Sequence, residues 1–141
     1  MTNEAGEYPR LLQPVLDTTD VRSLAEFYRQ LLGLVYRPGD EPSSDGHADD
    51  ADWLVLTDSA GVRKLAFQQV DELTPATWPR PDVPQQLHLD MTVPNRAALD
   101  RQRDRALALG AELRLDRSDD PDEPLYALAD PAGHTFCILV W

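Results

Sequence analysis

The stretch LDTTDVRSLAEFYRQLLGL, residues 16–34, decides how this chain is read. Its opening belongs to an apolar, β-branched run, residues 11–19, with the composition of a strand. Val21, Leu24, Ala25, Phe27, Tyr28, Leu31 and Leu32 then recur at spacings of three and four, which predicts an amphipathic helix. Thr19 or Asp20 can cap its start, and Gly33 stands where a helix ends. A second copy of the pattern is LDMTVPNRAALDRQRDRALALGA, residues 89–111. Leu16-Asp17 and Thr19 match Leu89-Asp90 and Thr92 at an offset of 73. Leu32-Gly33 matches Leu109-Gly110 at 77.

Working outward, each copy continues in the same way. After the first helix, residues 34–37 read as a strand, 53–57 as another and 63–69 as a fourth. After the second helix, 111–115, 125–129 and 134–141 read as strands. Two matching turns, Asp58-Ser59-Ala60-Gly61 and Asp130-Pro131-Ala132-Gly133, precede the last strand of each copy. The chain is therefore expected to be α+β, two tandem βαβββ modules within one domain spanning 1–141. Module one is placed at 11–69 and module two at 87–141. Residues 70–86 hold four prolines and read as an extended linker. Asp40 to Asp52 carries six acids and no base, and is expected to be a solvated loop without apolar anchors.

Length and charge narrow the function. A chain of 141 residues is one domain at roughly 150 residues per domain, large enough to bury a core without disulfides. Twenty-five acids against thirteen bases leave a net charge of −12, which disfavours nucleic acid and anionic membrane as partners. Neither a transmembrane run nor a secretion signal is read from the sequence. The single cysteine, Cys137, fits a reducing cytoplasm, the compartment expected. Twelve arginines against the one lysine, Lys64, suggest a GC-rich bacterial source.

The phrases Ala25-Glu26-Phe27-Tyr28 with Leu31-Leu32-Gly33-Leu34, Leu65-Ala66-Phe67-Gln68, Leu87-His88-Leu89-Asp90 and Asp130-Pro131-Ala132-Gly133-His134 with Phe136-Cys137 resemble the vicinal oxygen chelate superfamily. The likeness is to its glyoxalase/bleomycin-resistance-like members, from about Leu11 to Trp141. That resemblance implies paired βαβββ modules and a cup in each sheet. It also implies a divalent metal held from the first and last strands of both modules, and homodimers in many members. His88 falls on the second-module histidine position, and its first-module counterpart is Val15. The family's last-strand glutamate lies four residues after the turn glycine, which places Leu65 and Cys137 there.

Strand alternation assigns faces. It places His88, Asp90, Thr135 and Cys137 in one cup, and Gln13, Val15, Asp17, Leu65, Phe67 and Gln69 in the other. No cofactor is expected, because the metal site is incomplete: its one retained ligand is His88, which Gln13, Gln69 or Cys137 would have to supplement. His134 reads as a turn or surface residue and His47 as solvated. The function expected is metal-independent binding of a small organic ligand among Gln13, Asp17, Trp53, Phe67, Gln69, His88, Asp90 and Cys137. The alternative is a lyase, isomerase or dioxygenase of this superfamily, using His88 as a metal ligand or as a general acid/base with Asp90 beside it. A homodimer is the expected assembly.

Overall fold

The computed structural model describes residues 7–141. Its elements are β1 (Val15–Thr18), α1 (Val21–Leu32), β2 (Val35–Tyr36), β3 (Trp53–Thr57), β4 (Arg63–Gln69), β5 (His88–Val93), α2 (Arg96–Ala108), β6 (Glu112–Arg117), β7 (Leu125–Ala129) and β8 (Thr135–Val140). One sheet runs β1-β4-β3-β2 and the other β5-β8-β7-β6. In both, the first strand pairs parallel with the last and the remaining pairs are antiparallel. The two βαβββ units are thus present with the same strand order. Residues 70–86 contain neither helix nor strand.

Local chemistry sets the element ends. The Asp20 carboxylate accepts from the Ser23 amide at 3.1 Å and caps α1, and Gly33 closes it in the left-handed conformation at φ 67°. Asn95 caps α2 by accepting from the Ala98 amide at 2.8 Å. β1 is shorter than the apolar run suggested. Leu11 and Leu12 stand outside it, 94% and 61% exposed.

The core joins both modules. Leu16, Leu54, Leu56, Leu65 and Phe67 of the first sheet and Tyr126, Leu128, Phe136 and Ile138 of the second belong to one buried cluster with α1. Helix α1 bridges them. The Tyr28 ring stacks on Phe67 at 5.9 Å and meets the edge of Phe136 at 6.1 Å, while Phe27 contacts Phe136 at 5.8 Å. The buried Tyr28 hydroxyl donates to Asp130 Oδ2 at 2.6 Å. Asp130 Oδ1 accepts from the amides of Ala132 and His134 at 2.9 and 3.0 Å. Burial pushes the Asp130 carboxyl above the usual range, and the Tyr28 hydroxyl pulls the other way by favouring the ionised form. A second tie joins the helices, with Arg105 Nη2 donating to the Gln30 carbonyl at 2.8 Å.

The acidic loop is not without an anchor. Arg22 of α1 donates to Asp49 at 2.6 Å and to the Asp40 carbonyl at 2.7 Å, so one helix side chain ties both ends of the loop. The Asp40 carboxylate also accepts from the Val55 amide at 2.9 Å. The base the loop lacks in sequence is supplied in space.

These contacts have measurable consequences. Tyr28→Phe leaves a buried carboxylate short of a donor and should cost about 1–3 kcal/mol of unfolding free energy. The ionised carboxylate needs that donor more than the protonated one. The penalty should therefore be larger at pH 8 than at pH values low enough to protonate Asp130; a loss independent of pH in chemical denaturation would contradict this. On β5, Leu89 packs against the core while the His88 side chain is 43% exposed. Leu89→Asp should lower stability by about 3 kcal/mol or more and His88→Ala by about 1 kcal/mol or less. Equal melting temperatures for the two variants would mean that the strand faces are reversed.

Candidate functional site

The sheet faces turned away from the helices are where functional side chains can gather. In module two the parallel pairing of β5 and β8 sets His88 beside Thr135 and Asp90 beside Cys137. Leu89, Met91, Phe136 and Ile138 alternate with them and pack into the core. His88, Asp90 and Cys137 therefore share the open face, as the alternation predicted. His88 Nε2 lies 3.3 Å from Asp90 Oδ1. One donor atom from each of His88, Asp90 and Cys137 falls within 4.8 Å of the other two. Burial, and then the negative charge of Asp90, push the Cys137 thiol up to about 11. The resting group is a neutral thiol and not a thiolate nucleophile.

Module one differs from the expected face assignment on β4. Phe67 lies against Tyr28 on the helix side, and Leu65 is in the same core. Gln69 also turns to the helix side: its Oε1 accepts from the Val21 amide at 2.9 Å and its Nε2 donates to the Thr19 carbonyl at 2.6 Å. Gln69 satisfies the open first turn of α1 and is not part of the cup. The residues opposite β1 are instead Ala66, beside Val15, and Gln68, beside Asp17, with Trp53 next to Gln68 on β3.

The cause of the reversal lies in the hairpin. β3 and β4 carry two further rungs, Leu56–Leu65 and Thr57–Arg63, before β1 begins to pair at Ala66. Lys64 is an extra residue between those rungs, a bulge that resets the alternation. In module two the pairing with β5 begins at Thr135, the first rung after the turn. Counting four from Gly61 reaches Leu65, whereas the residue opposite Asp17 in register is Gln68.

The other singled-out residues fall as follows. Asp17 and Val15 help line a cleft of about 260 Å³ between the modules, together with Gln85, Leu87, His134 and Thr135. His134, expected to be a surface residue, closes that junction, with Nε2 2.7 Å from the Asp17 carbonyl. The linker packs here. A Cβ on Gly133 would meet Pro75 at 2.3 Å, so this turn requires glycine, which also has φ 94°. Gln13 precedes β1, and its Oε1 is buried with no partner among the described residues. His47 stays in the acidic loop beside Asp45 at 2.9 Å.

A hard divalent metal is poorly served by these positions. The first-module histidine position is Val15, which has no donor and pairs with Ala66, while Gln68, beside Asp17, offers only a neutral amide. The second-module glutamate position is a thiol, where hard cations want oxygen. Among the described residues no helix is long and apolar enough to cross a membrane.

Comparison with known proteins agrees with this architecture. A glyoxalase/bleomycin resistance protein/dioxygenase family enzyme from Burkholderia phytofirmans PsJN superposes with a TM-score of 0.68 at 17% identity, covering 94% of this chain and 98% of that one. A glyoxalase-related enzyme from Fulvimarina pelagi gives 0.65 at 19% identity, with 95% and 89% covered. The fosfomycin resistance protein FosX from Mesorhizobium loti gives 0.64 at 13% identity, with 95% and 93% covered. At these identities the likeness is one of fold. No curated protein matches the sequence. The model of the glyoxalase-like domain family matches residues 13–139. With that match over nearly its whole length, and with two βαβββ modules of one strand order, the chain belongs to the glyoxalase-like domain family of the vicinal oxygen chelate superfamily.

Proposed function

We propose that this chain binds a small organic ligand on the open faces of its two sheets and does so without the hard divalent metal of its superfamily. The observation that carries this reading is the pairing of a polar, accessible set with a missing ligand position. His88, Asp90 and Cys137 face outward together, while Val15 occupies the matching place in module one. Trp53, Asp17 and Gln68 supply a flat aromatic surface and polar partners on the other face. A net charge of −12 favours neutral or cationic ligands. The protein is read as cytoplasmic, in keeping with its one free cysteine.

The second reading, an enzyme, rests on the 3.3 Å contact between His88 and Asp90. A carboxylate at that distance can orient an imidazole and stabilise its protonated form for general acid/base work. Homodimerisation belongs to the same proposal. Leu11, Leu12, Val15 and Leu87 are exposed apolar side chains near the start of the two first strands.

A thermal-shift screen of anionic, neutral and cationic small molecules, run with EDTA, tests the main reading. Neutral or cationic compounds should raise the melting temperature, and His88→Ala or Asp90→Asn should reduce that gain. Hits that appear only when Mg²⁺ or Mn²⁺ is added would overturn it. Mass spectrometry of the incubated hits separates the second reading: a compound consumed by the wild type but not by His88→Ala makes the protein an enzyme. For the assembly, light scattering should show a dimer that strengthens as salt rises to ~0.5 M, because screening relieves the repulsion of two acidic chains. A monomer at both low and high salt would reject it.

A further inference from the structure

The end of α1 and the outer turns of α2 enclose a cleft of about 580 Å³ on the helix side of β5 and β8. That is the size of a small-molecule site. Buried Leu31 and Ile138 and partly buried Met91 and Val93 form its apolar floor. On β5, Met91 and Val93 alternate with His88 and Asp90, so this cleft and the open face lie on opposite sides of one strand. The rim is basic in a chain whose net charge is −12. Arg101, Gln102 and Arg105 of α2 line it, and among the described residues no aspartate or glutamate does. Arg101 and Arg105 stand four residues apart on one helix, where like charges repel. The neighbouring acids are engaged elsewhere. Asp100 pairs with Arg96 at 3.8 Å and accepts from the Tyr126 hydroxyl at 2.8 Å, and Asp104 pairs with Arg103 at 2.9 Å. Arg105 is fixed by the Gln30 and Leu31 carbonyls at the end of α1, 2.8 Å from its Nη2 and 3.4 Å from its Nη1. Gln102 Oε1 accepts from Arg105 Nη1, which leaves the Gln102 amide nitrogen as a further donor. Arg101, exposed on the rim, makes no ion pair or side-chain hydrogen bond among the described residues.

We propose that this cleft binds a small monocarboxylate with an apolar body, a medium-chain or aryl acid, whose carboxylate is held by Arg101. The apolar body covers Leu31, Met91 and Ile138, and the carboxylate relieves the repulsion between Arg101 and Arg105. A neutral ligand gains only the burial, and a cation meets two guanidinium groups. A small anion without an apolar body gains only an exposed ion pair, which contributes little by itself. The site is separate from the open faces and does not rest on the ligand read there.

Methyl NMR of the full-length protein, titrated separately with octanoate and 2-naphthoate, tests the site. At least one of the two should shift the methyl signals of Leu31, Met91 and Ile138 in a saturable way. Octanamide, which keeps the tail and loses the charge, should bind about 10-fold or more weakly than octanoate, and acetate should leave these methyls unmoved. Arg101→Gln should weaken binding by a similar factor while keeping the wild-type circular dichroism, and Arg101→Lys should recover part of the loss. The octanamide comparison needs no variant and stands if Arg101→Gln does not fold. The proposal is overturned if neither acid gives saturable shifts, if octanamide binds as tightly as octanoate, or if a folded Arg101→Gln keeps the wild-type affinity. Methyl shifts that follow protein dilution and ignore both acids would assign the cleft to a second copy of the chain and would also overturn it. In the thermal-shift screen, a carboxylate whose gain is lost in Arg101→Gln and kept in His88→Ala belongs to this cleft, so failure of one proposal is distinguishable from failure of the other.

Discussion

The hydrogen bond from Tyr28 to Asp130 is the contact on which the rest of the arrangement depends. It links the first helix to the turn before the last strand, 102 residues apart in the chain. Asp130 also holds the amides of Ala132 and His134, so the same carboxylate shapes the turn and receives the helix. Removing water from such a carboxylate is costly unless its oxygens are satisfied. Here three donors meet that need, and the aromatic ring carrying one of them fills the space between Phe67 and Phe136. The polar contact sets the register of the two modules, and the apolar contacts around it supply the larger share of the burial energy.

Once both sheets spend their helix-facing sides on this shared core, alternation leaves their other sides open. That is why His88 and Asp90 are exposed while Leu89 between them is packed. Two repeats of one plan have diverged in what they place there. Module two presents imidazole, carboxylate and thiol, and module one presents Val15, Asp17 and Gln68 with Trp53 beside them. The superfamily fold tolerates this because its stability lies on the opposite side of each strand. Fold and site chemistry are separate variables on such a sheet.

The fold was legible because its signals are local. The spacing of Val21 to Leu31, the caps Asp20 and Asn95, and the Pro-rich stretch before β5 each act within a few residues. The shared face of His88, Asp90 and Cys137 in module two was legible for the same reason, since β8 pairs with β5 from its first residue after the turn. Module one was misread on β4 because its face depends on the bulge at Lys64 and on two extra rungs, which have no clear local signature. Gln69 looked like a cup residue but serves the first turn of α1, a partner 48 residues away. His134 and Arg22 were missed as ties for a related reason. Their partners, the Asp17 carbonyl and the ends of the acidic loop, become neighbours only when the chain has folded.

The central claim is that the two modules unfold as one unit because α1 belongs to both. Native-state hydrogen exchange in dilute guanidinium measures this directly, by comparing the amides of Phe67 in β4 with those of Phe136 and Ile138 in β8. The account predicts one opening free energy and one denaturant slope for both strands, equal to those of global unfolding. A distinct, smaller opening confined to β5–β8, with β4 still protected, would show that the modules are independent and would contradict it.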